Sequence, residues 1–188
     1  MGIRFQRRYD GGYTLETKIN TVAILSITVA TLLTLGICTA GLTTTVFAQQ
    51  NFKSFSATLS GSNEVPPVAT AALGIAIFHT LHVGHQQVIS YELHLKNIRG
   101  VTGAHIHIGN QGENGPVVAG LFNPSMNGRP TGAINGLLSS GTLTLSELAG
   151  ALVGKTIGNL LIIIRGGEAY VNVHTTQNGN GEVRGQIS

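Results

Sequence analysis

Polar and apolar residues alternate along most of the chain after residue 52, and this period of two predicts β-strands. Residues 52–60 place apolar side chains on one face and serine or threonine on the other. The same alternation covers residues 74–83 and 88–98, and the glycine-containing turn between them predicts a β-hairpin. Four more short strands are predicted at residues 104–108, 142–144, 170–175 and 182–187.

Three segments depart from this alternation. Residues 109–136 are rich in glycine and asparagine around one apolar patch, which predicts a long loop that is functional or carries small strands. Residues 146–149 predict a short helix or turn. Residues 156–165 fit either a strand or a helix, and Thr156 as N-cap with glycines at the end favours the helix. That helix would bury Ile157, Leu160, Leu161 and Ile164.

Many short strands separated by glycine-rich turns indicate an all-β domain. We expect a Greek-key β-sandwich or barrel with one or two short helices. The chain has 188 residues and no internal repeat, so one such domain accounts for residues 49–188.

Residues 1–48 have a different composition. A basic segment with four arginines or lysines precedes an uncharged, apolar run over residues 19–47. This order is typical of an export signal, with cleavage expected after Ala48, but the run is also long enough to span a bilayer. We therefore expect residues 1–48 to be a signal peptide or an N-terminal membrane anchor. Either one puts the remaining domain outside the cytoplasm, secreted or at the cell surface.

Charge and cysteine content exclude several classes of function for the domain. Seven basic and six acidic residues remain after residue 48, so no dense basic face is available for nucleic acid. The single cysteine, Cys38, lies in the leader, which leaves the domain without a disulfide, a thiolate ligand or a cysteine nucleophile. No nucleophile elbow, phosphate-binding loop or dinucleotide fingerprint is present. We therefore assign no catalytic residue.

Two strands that are far apart in sequence carry the candidate chemistry. In the strand at 104–108, His105 and His107 point to one face and their apolar neighbours to the other. In the strand at 170–175, His174 shares a face with Tyr170 and Asn172. If the two strands lie side by side, three imidazoles converge, and such a set suits copper or zinc rather than calcium or magnesium.

The other titratable residues have simpler explanations. The remaining four histidines lie on or beside the predicted hairpin, where a solvated position is the expected one. The acidic residues are scattered and suggest no acid–base pair. Glu64, Glu113 and Glu182 lie in turn-like contexts, and we expect them to serve surface solubility.

The chain resembles the CHRD domain, a module named from chordin and common in exported microbial proteins. Six blocks carry the resemblance in order and together cover residues 54–188: residues 59–67, 104–107, 114–118, 140–143, 169–175 and 181–187. The resemblance implies an extracellular β-domain.

A fainter resemblance is to Cu/Zn superoxide dismutase, in the segments 103–107, 121–124 and 171–174. It implies a Greek-key barrel and makes His105, His107 and His174 the counterparts of three copper ligands. The alternative all-β fold is immunoglobulin-like.

The departures from superoxide dismutase are large. Leu121 stands where the histidine that bridges copper and zinc is expected, and residues 109–123 contain no histidine or aspartate for a zinc site. The disulfide cysteines are missing, and Arg184 is the only match for the arginine that guides superoxide. The resemblance therefore implies the fold and a mononuclear metal site, without the dismutase activity.

These observations predict an exported or membrane-anchored, non-catalytic protein with one copper site, zinc being the second choice. A first alternative is an extracellular adhesion or assembly module that binds a cell-surface protein and holds no metal. A second is a copper oxidoreductase, which ranks lowest because no second redox site or substrate motif is visible.

Overall fold

The computed structural model describes residues 53–188. The predicted leader, residues 1–48, lies outside the described residues. In the described part, no helix combines the length and the apolar character needed to cross a membrane.

Eight antiparallel strands make up the domain. They are β1 Ser54–Ser60, β2 Leu73–Val83, β3 Gln86–Arg99, β4 Val101–Ile108, β5 Val117–Phe122, β6 Ala133–Leu143, β7 Ala169–Thr175 and β8 Val183–Gln186. The predicted hairpin is confirmed, because β2 and β3 pair continuously from Leu73↔Lys96 to Val83↔Gln86.

The strands form one sheet in the order β5-β4-β7-β8-β1-β2-β3-β6. Consecutive strands β3 and β4 are not neighbours in this order, which is the kind of crossing connection found in Greek-key folds. The two edge strands approach each other, since the hydroxyls of Tyr91 and Ser139 both donate to the Leu121 carbonyl, at 2.7 and 2.8 Å. The sheet is therefore a nearly closed barrel, as the all-β prediction required.

Two short helices complete the fold, α1 Pro124–Asn127 and α2 Ile157–Arg165. Helix α2 confirms the helical interpretation of residues 156–165. The four residues predicted to be buried are buried and join the core cluster, because their spacing puts them on one helical face. The predicted turn at 146–149 overlaps a 3₁₀ turn, Leu145–Glu147.

Strand β6 is much longer than predicted. The sequence indicated only residues 142–144, whereas the strand begins at Ala133 and pairs with β3 over most of its length. Most of its side chains are exposed, Leu137 among them, so the usual alternation of apolar and polar residues is weak. Backbone hydrogen bonds to β3 define this edge strand, so the pattern of its side chains does not predict it. The apolar patch at 117–122 is strand β5.

Helix α2 should contribute strongly to stability through its buried face. Leu160 is fully buried, so we expect Leu160→Ala to lower the free energy of unfolding by about 2–5 kcal/mol through lost burial and a residual cavity. Ile162→Ala is the matched control, because Ile162 is 65% exposed on the same helix and should change stability by less than about 0.5 kcal/mol. Urea unfolding followed by circular dichroism measures both. Similar losses in the two variants would contradict the packing of α2 against the core.

Candidate metal centre

Strands β4 and β7 are adjacent and antiparallel, and this pairing brings the three predicted histidines together. The register sets Gly103 opposite His174, His105 opposite Asn172, and His107 opposite Tyr170. His174 is thus the diagonal neighbour of His105 on one face of the sheet. One ligand nitrogen from each of His105, His107 and His174 lies within 4.8 Å of the other two.

The spacing of the rings is close to what one metal ion requires. Ring centroids are 5.2 Å apart for His105 and His174, 5.9 Å for His107 and His174, and 6.0 Å for His105 and His107. Nitrogens bound at about 2.0 Å to one ion lie roughly 3–4 Å apart. Ring rotations that move each ligand nitrogen by about 1 Å would therefore bring the three nitrogens to the spacing that one ion needs.

Hydrogen bonds choose which nitrogen of two rings is available. Nδ1 of His107 donates to the Gly115 carbonyl at 2.9 Å, and Nδ1 of His174 donates to the Gly179 carbonyl at 3.1 Å. A carbonyl only accepts, so each Nδ1 carries the proton and each Nε2 keeps a free lone pair. This backbone anchoring of the far nitrogen is the usual support of metal-binding histidines.

Two buried nitrogens in the cluster lack any hydrogen-bond partner among residues 53–188. They are Nδ1 of His105 and Nε2 of His107. Buried polar atoms are rarely left unpaired, because each costs about 1–3 kcal/mol. The Nε2 lone pairs of His107 and His174 and the unpaired Nδ1 of His105 are therefore the candidate ligand atoms of the cluster.

Local backbone features make room for the rings. A Cβ at Gly103 would lie 2.9 Å from Cε1 of His105, so glycine at this position leaves the space that the imidazole fills. The β4–β5 register shifts between Ala104 and His105 and again between Ile106 and His107. Such irregularities re-aim side chains, and here they occur at both histidines of β4.

Tyr170 stacks beside His107, and Arg184 packs on Tyr170. The Tyr170 ring stacks on the His107 ring at 4.9 Å, and the Arg184 guanidinium lies 3.4 Å from the centre of the Tyr170 ring. The Tyr170 hydroxyl accepts from the Gly115 amide at 3.0 Å, next to the carbonyl that holds His107. Sequence reasoning placed Tyr170 on the correct face and gave it no role.

The electrostatics of the cluster favour neutral imidazoles. Burial, followed by the proximity of His174 and His107, lowers the pKa of His105 to about 4. Burial also lowers the pKa of His107 and of His174, although their carbonyl hydrogen bonds act in the opposite direction. Protons therefore compete weakly for these nitrogens at neutral pH, and the imidazoles are neutral. The neutral imidazole is the form in which histidine binds metals.

The four hairpin histidines are where the sequence predicted them to be. His79, His82 and His85 are exposed, and His94 donates from Nε2 to Glu92 at 3.0 Å at the surface. In residues 53–188, only the other three histidines form a group of potential metal-binding side chains.

The prediction that Glu64 and Glu182 are surface residues is wrong. Both are buried, because the turn after β1 and the loop between β7 and β8 fold over the sheet. Glu182 accepts hydrogen bonds from three side chains, those of Thr70, Thr175 and Asn178. Turn-like sequence reports local backbone shape only, and the burial of these carboxyls comes from distant segments.

Arg184 does not match a guiding arginine. It is only 2% exposed, and its guanidinium donates to the Asn114 side chain at 3.2 Å and to the Asn110 carbonyl at 2.9 Å. Its guanidinium is therefore held inside the protein by these hydrogen bonds and does not face the solvent. Leu121, at the position of the bridging histidine, is buried in the core.

Acid should destabilise the metal-free domain through His105. In the unfolded chain His105 binds a proton below about pH 6.5, whereas in the folded protein it does so only below about pH 4. The free energy of unfolding therefore falls as the pH drops from 6.5 to 4. We expect His105→Gln to remove the part of the pH dependence that His105 causes, which is a change of up to about tenfold in the folding constant per pH unit. His82→Gln, at an exposed position, is the control. Urea unfolding at stepped pH measures the slopes, and equal slopes in His105→Gln and wild type would contradict the assignment.

Comparison with known proteins adds the family. A search of curated proteins and a search of solved structures each give no match. The family model of the CHRD domain matches residues 55–187, which includes all eight strands except the first residue of β1. The three histidines, Tyr170, Glu64 and Arg184 all lie inside the matched region. The chain thus belongs to the CHRD domain family.

Proposed function

We propose that this CHRD-domain protein is exported or membrane-anchored and binds one copper ion through His105, His107 and His174. The observation that carries the proposal is that one ligand nitrogen from each of the three imidazoles lies within 4.8 Å of the other two. It is supported by two buried imidazole nitrogens, Nδ1 of His105 and Nε2 of His107, that have no partner among the described residues. His105 would bind through Nδ1, and His107 and His174 through Nε2, since the other nitrogen of each of these two rings donates to a carbonyl.

The donor set supports copper over zinc. Three neutral imidazoles suit both metals, and for a given set of nitrogen ligands Cu²⁺ binds more tightly than Zn²⁺. The low pKa of His105 supports binding at neutral and mildly acidic pH, because little proton release is needed. Zinc remains the second choice.

A role in metal binding or storage is better supported than catalysis. Redox turnover of a small anion at copper benefits from an accessible positive charge, and Arg184 is buried and hydrogen-bonded to Asn114 and Asn110. Export is supported by the basic segment and the uncharged run of residues 19–47. The family membership supports the assignment of the β-domain to residues 49–188, because the family model covers residues 55–187 of it.

Removal of a ligand should abolish tight copper binding. After copper loading and extensive dialysis, we expect one copper per wild-type chain and none retained by His174→Ala or by the double variant His105→Ala/His174→Ala, since losing even an outer support typically costs 10–100-fold in affinity. His85→Ala, at an exposed hairpin position, should retain copper. Elemental analysis measures the ratio, and nitrogen hyperfine structure in electron paramagnetic resonance reports imidazole ligands.

Two results would overturn the proposal. One is equal copper retention in wild type and the double variant, which would mean adventitious binding elsewhere. The other is no retention by the wild type, which would favour the adhesion or assembly role. Copper-dependent turnover above that of free copper would instead favour the oxidoreductase.

The space at Gly103 provides an independent test of the geometry. Gly103→Ala adds a methyl group 2.9 Å from His105 Cε1, so the imidazole must rotate away, and we expect about 10–100-fold weaker copper binding with the fold retained. Gly120→Ala is the matched control, because Gly120 pairs with His105 from β5 and its added methyl group would meet no atom within 4 Å. Chelator competition measures both affinities, and unchanged binding in Gly103→Ala would count against the proposed ligand geometry.

A further inference from the structure

A buried carboxyl group and a buried amide lie together beside the histidine cluster, because Asn172 pairs with His105 across β7 and β4. Glu64 is 5% exposed and Asn172, on β7 two residues before His174, is 2% exposed. The Asn172 amide donates from Nδ2 to Glu64 Oε2 at 3.2 Å. The other oxygen of each group, Oε1 of Glu64 and Oδ1 of Asn172, is buried without a partner among the described residues.

The two unpaired oxygens face the same small space. A Cβ built on Gly181 would lie 2.5 Å from Asn172 Oδ1 and 2.7 Å from Glu64 Oε1. Two acceptors that share a space without a donor are unfavourable, and each leaves an unsatisfied buried atom. A protonated carboxyl group has one O–H donor, which would satisfy both atoms at once. The result would be a cyclic acid–amide pair with two hydrogen bonds.

The charged groups around Glu64 do not supply that donor. Arg184 on β8 lies near enough to act on Glu64 by its charge, but its guanidinium donates its hydrogen bonds to Asn114 and Asn110. Glu182, after Gly181, accepts from Thr70, Thr175 and Asn178. Burial raises the pKa of Glu64 to about 7, and the opposing effects of Arg184 and the Asn172 hydrogen bond are smaller.

We propose that Glu64 is held as a neutral carboxylic acid paired with Asn172, and that this acid–amide pair is a positioning element for the ligand His174. Gly181 rests directly on the pair, and its amide donates to the Asn178 carbonyl at 3.1 Å. The same loop supplies the Gly179 carbonyl that holds Nδ1 of His174. If Glu64 were ionised, its Oε1 and Asn172 Oδ1 would be two acceptors side by side beneath Gly181, without a proton between them. Their repulsion would loosen the loop whose Gly179 carbonyl orients the His174 imidazole.

Cleft geometry gives the proton a route to solvent. Glu64 lies at the wall of a cleft of about 250 Å³ that is also lined by Gly179 and Gly181. The carboxyl can therefore exchange its proton with water on the side where the loop lies. The metal-related half of this inference rests on the proposed copper site, whereas the acid–amide pair does not.

The first test compares the stability of metal-free wild type with Glu64→Gln. An amide at position 64 can make both hydrogen bonds to Asn172 and cannot ionise. In wild type, the stability that the raised pKa provides is complete below pH 4.5 and is lost as pH rises to about 7. The wild-type folding constant should thus fall relative to Glu64→Gln by up to about tenfold per pH unit across this window. Both proteins keep all of the histidines, so the difference between their pH profiles reports the carboxyl of Glu64.

A control variant and a spectroscopic signal sharpen this test. Glu168→Gln changes an exposed carboxyl just before β7 and should leave the pH dependence as in wild type. The ¹³C resonance of the Glu64 carboxyl should titrate near pH 7. A Glu64 resonance that titrates near pH 4.5, or parallel stability profiles for wild type and Glu64→Gln, would overturn the acid–amide pair.

The second test measures copper affinity by chelator competition in the full-length protein in detergent. Relative to Glu64→Gln, wild type should bind copper more weakly as pH rises through 7, whereas Glu64→Leu should bind weakly at every pH because Asn172 then has no partner. Identical profiles for wild type and Glu64→Gln would overturn the positioning role. If neither protein binds copper while their stabilities diverge with pH, the proposed copper function fails and the proton site stands.

Discussion

The antiparallel pairing of β4 with β7 is the constraint on which the rest of the site depends. It joins two segments far apart in sequence, and its register sets His105 opposite Asn172 and His107 opposite Tyr170. A slip of one residue would turn every side chain to the other face. The apolar partners Ala104, Ile106, Val171 and Val173 are fully buried in the core, so the hydrophobic effect holds the register that puts the imidazoles on the opposite face.

That opposite face is polar and nevertheless covered. Residues of the loop before β5 and the turn after β1 lie over it, and Tyr170, Asn172 and Arg184 are almost completely buried. Buried polar groups cost free energy unless they are paired, which explains the dense hydrogen bonding of Arg184 to Asn114 and Asn110. In the part of the chain that the structure describes, the few buried side-chain nitrogens and oxygens without a hydrogen-bond partner occur at the histidine cluster, at the Glu64–Asn172 pair and at Gln186. The first two groups meet where β4 pairs with β7, because His105 lies opposite Asn172.

Burial acts in opposite directions on the two groups. It favours neutral histidine by lowering its pKa and neutral carboxylic acid by raising its pKa. Neutral imidazoles and a neutral carboxylic acid therefore share one face of the β4–β7 pair, and the positive charge of Arg184 lies over Tyr170. Neutral imidazoles are in the form that the proposed copper ion requires, because no proton has to leave them. The same barrel wall keeps Arg184 away from solvent.

Local pattern was sufficient for much of the fold and for the identity of the candidate ligands. Alternation predicted β1, the β2–β3 hairpin and both histidine strands, and helical spacing with a cap predicted α2, because these signals arise within a few residues. It missed most of β6, where many exposed side chains weaken the alternation and backbone pairing with β3 extends the strand beyond residues 142–144. Only the tertiary structure decided that His174 meets His105 and His107, that Gly103 leaves space for an imidazole, and that Glu64 is buried. These depend on which distant strands pair and which turns cover them, and no short stretch of sequence records that choice.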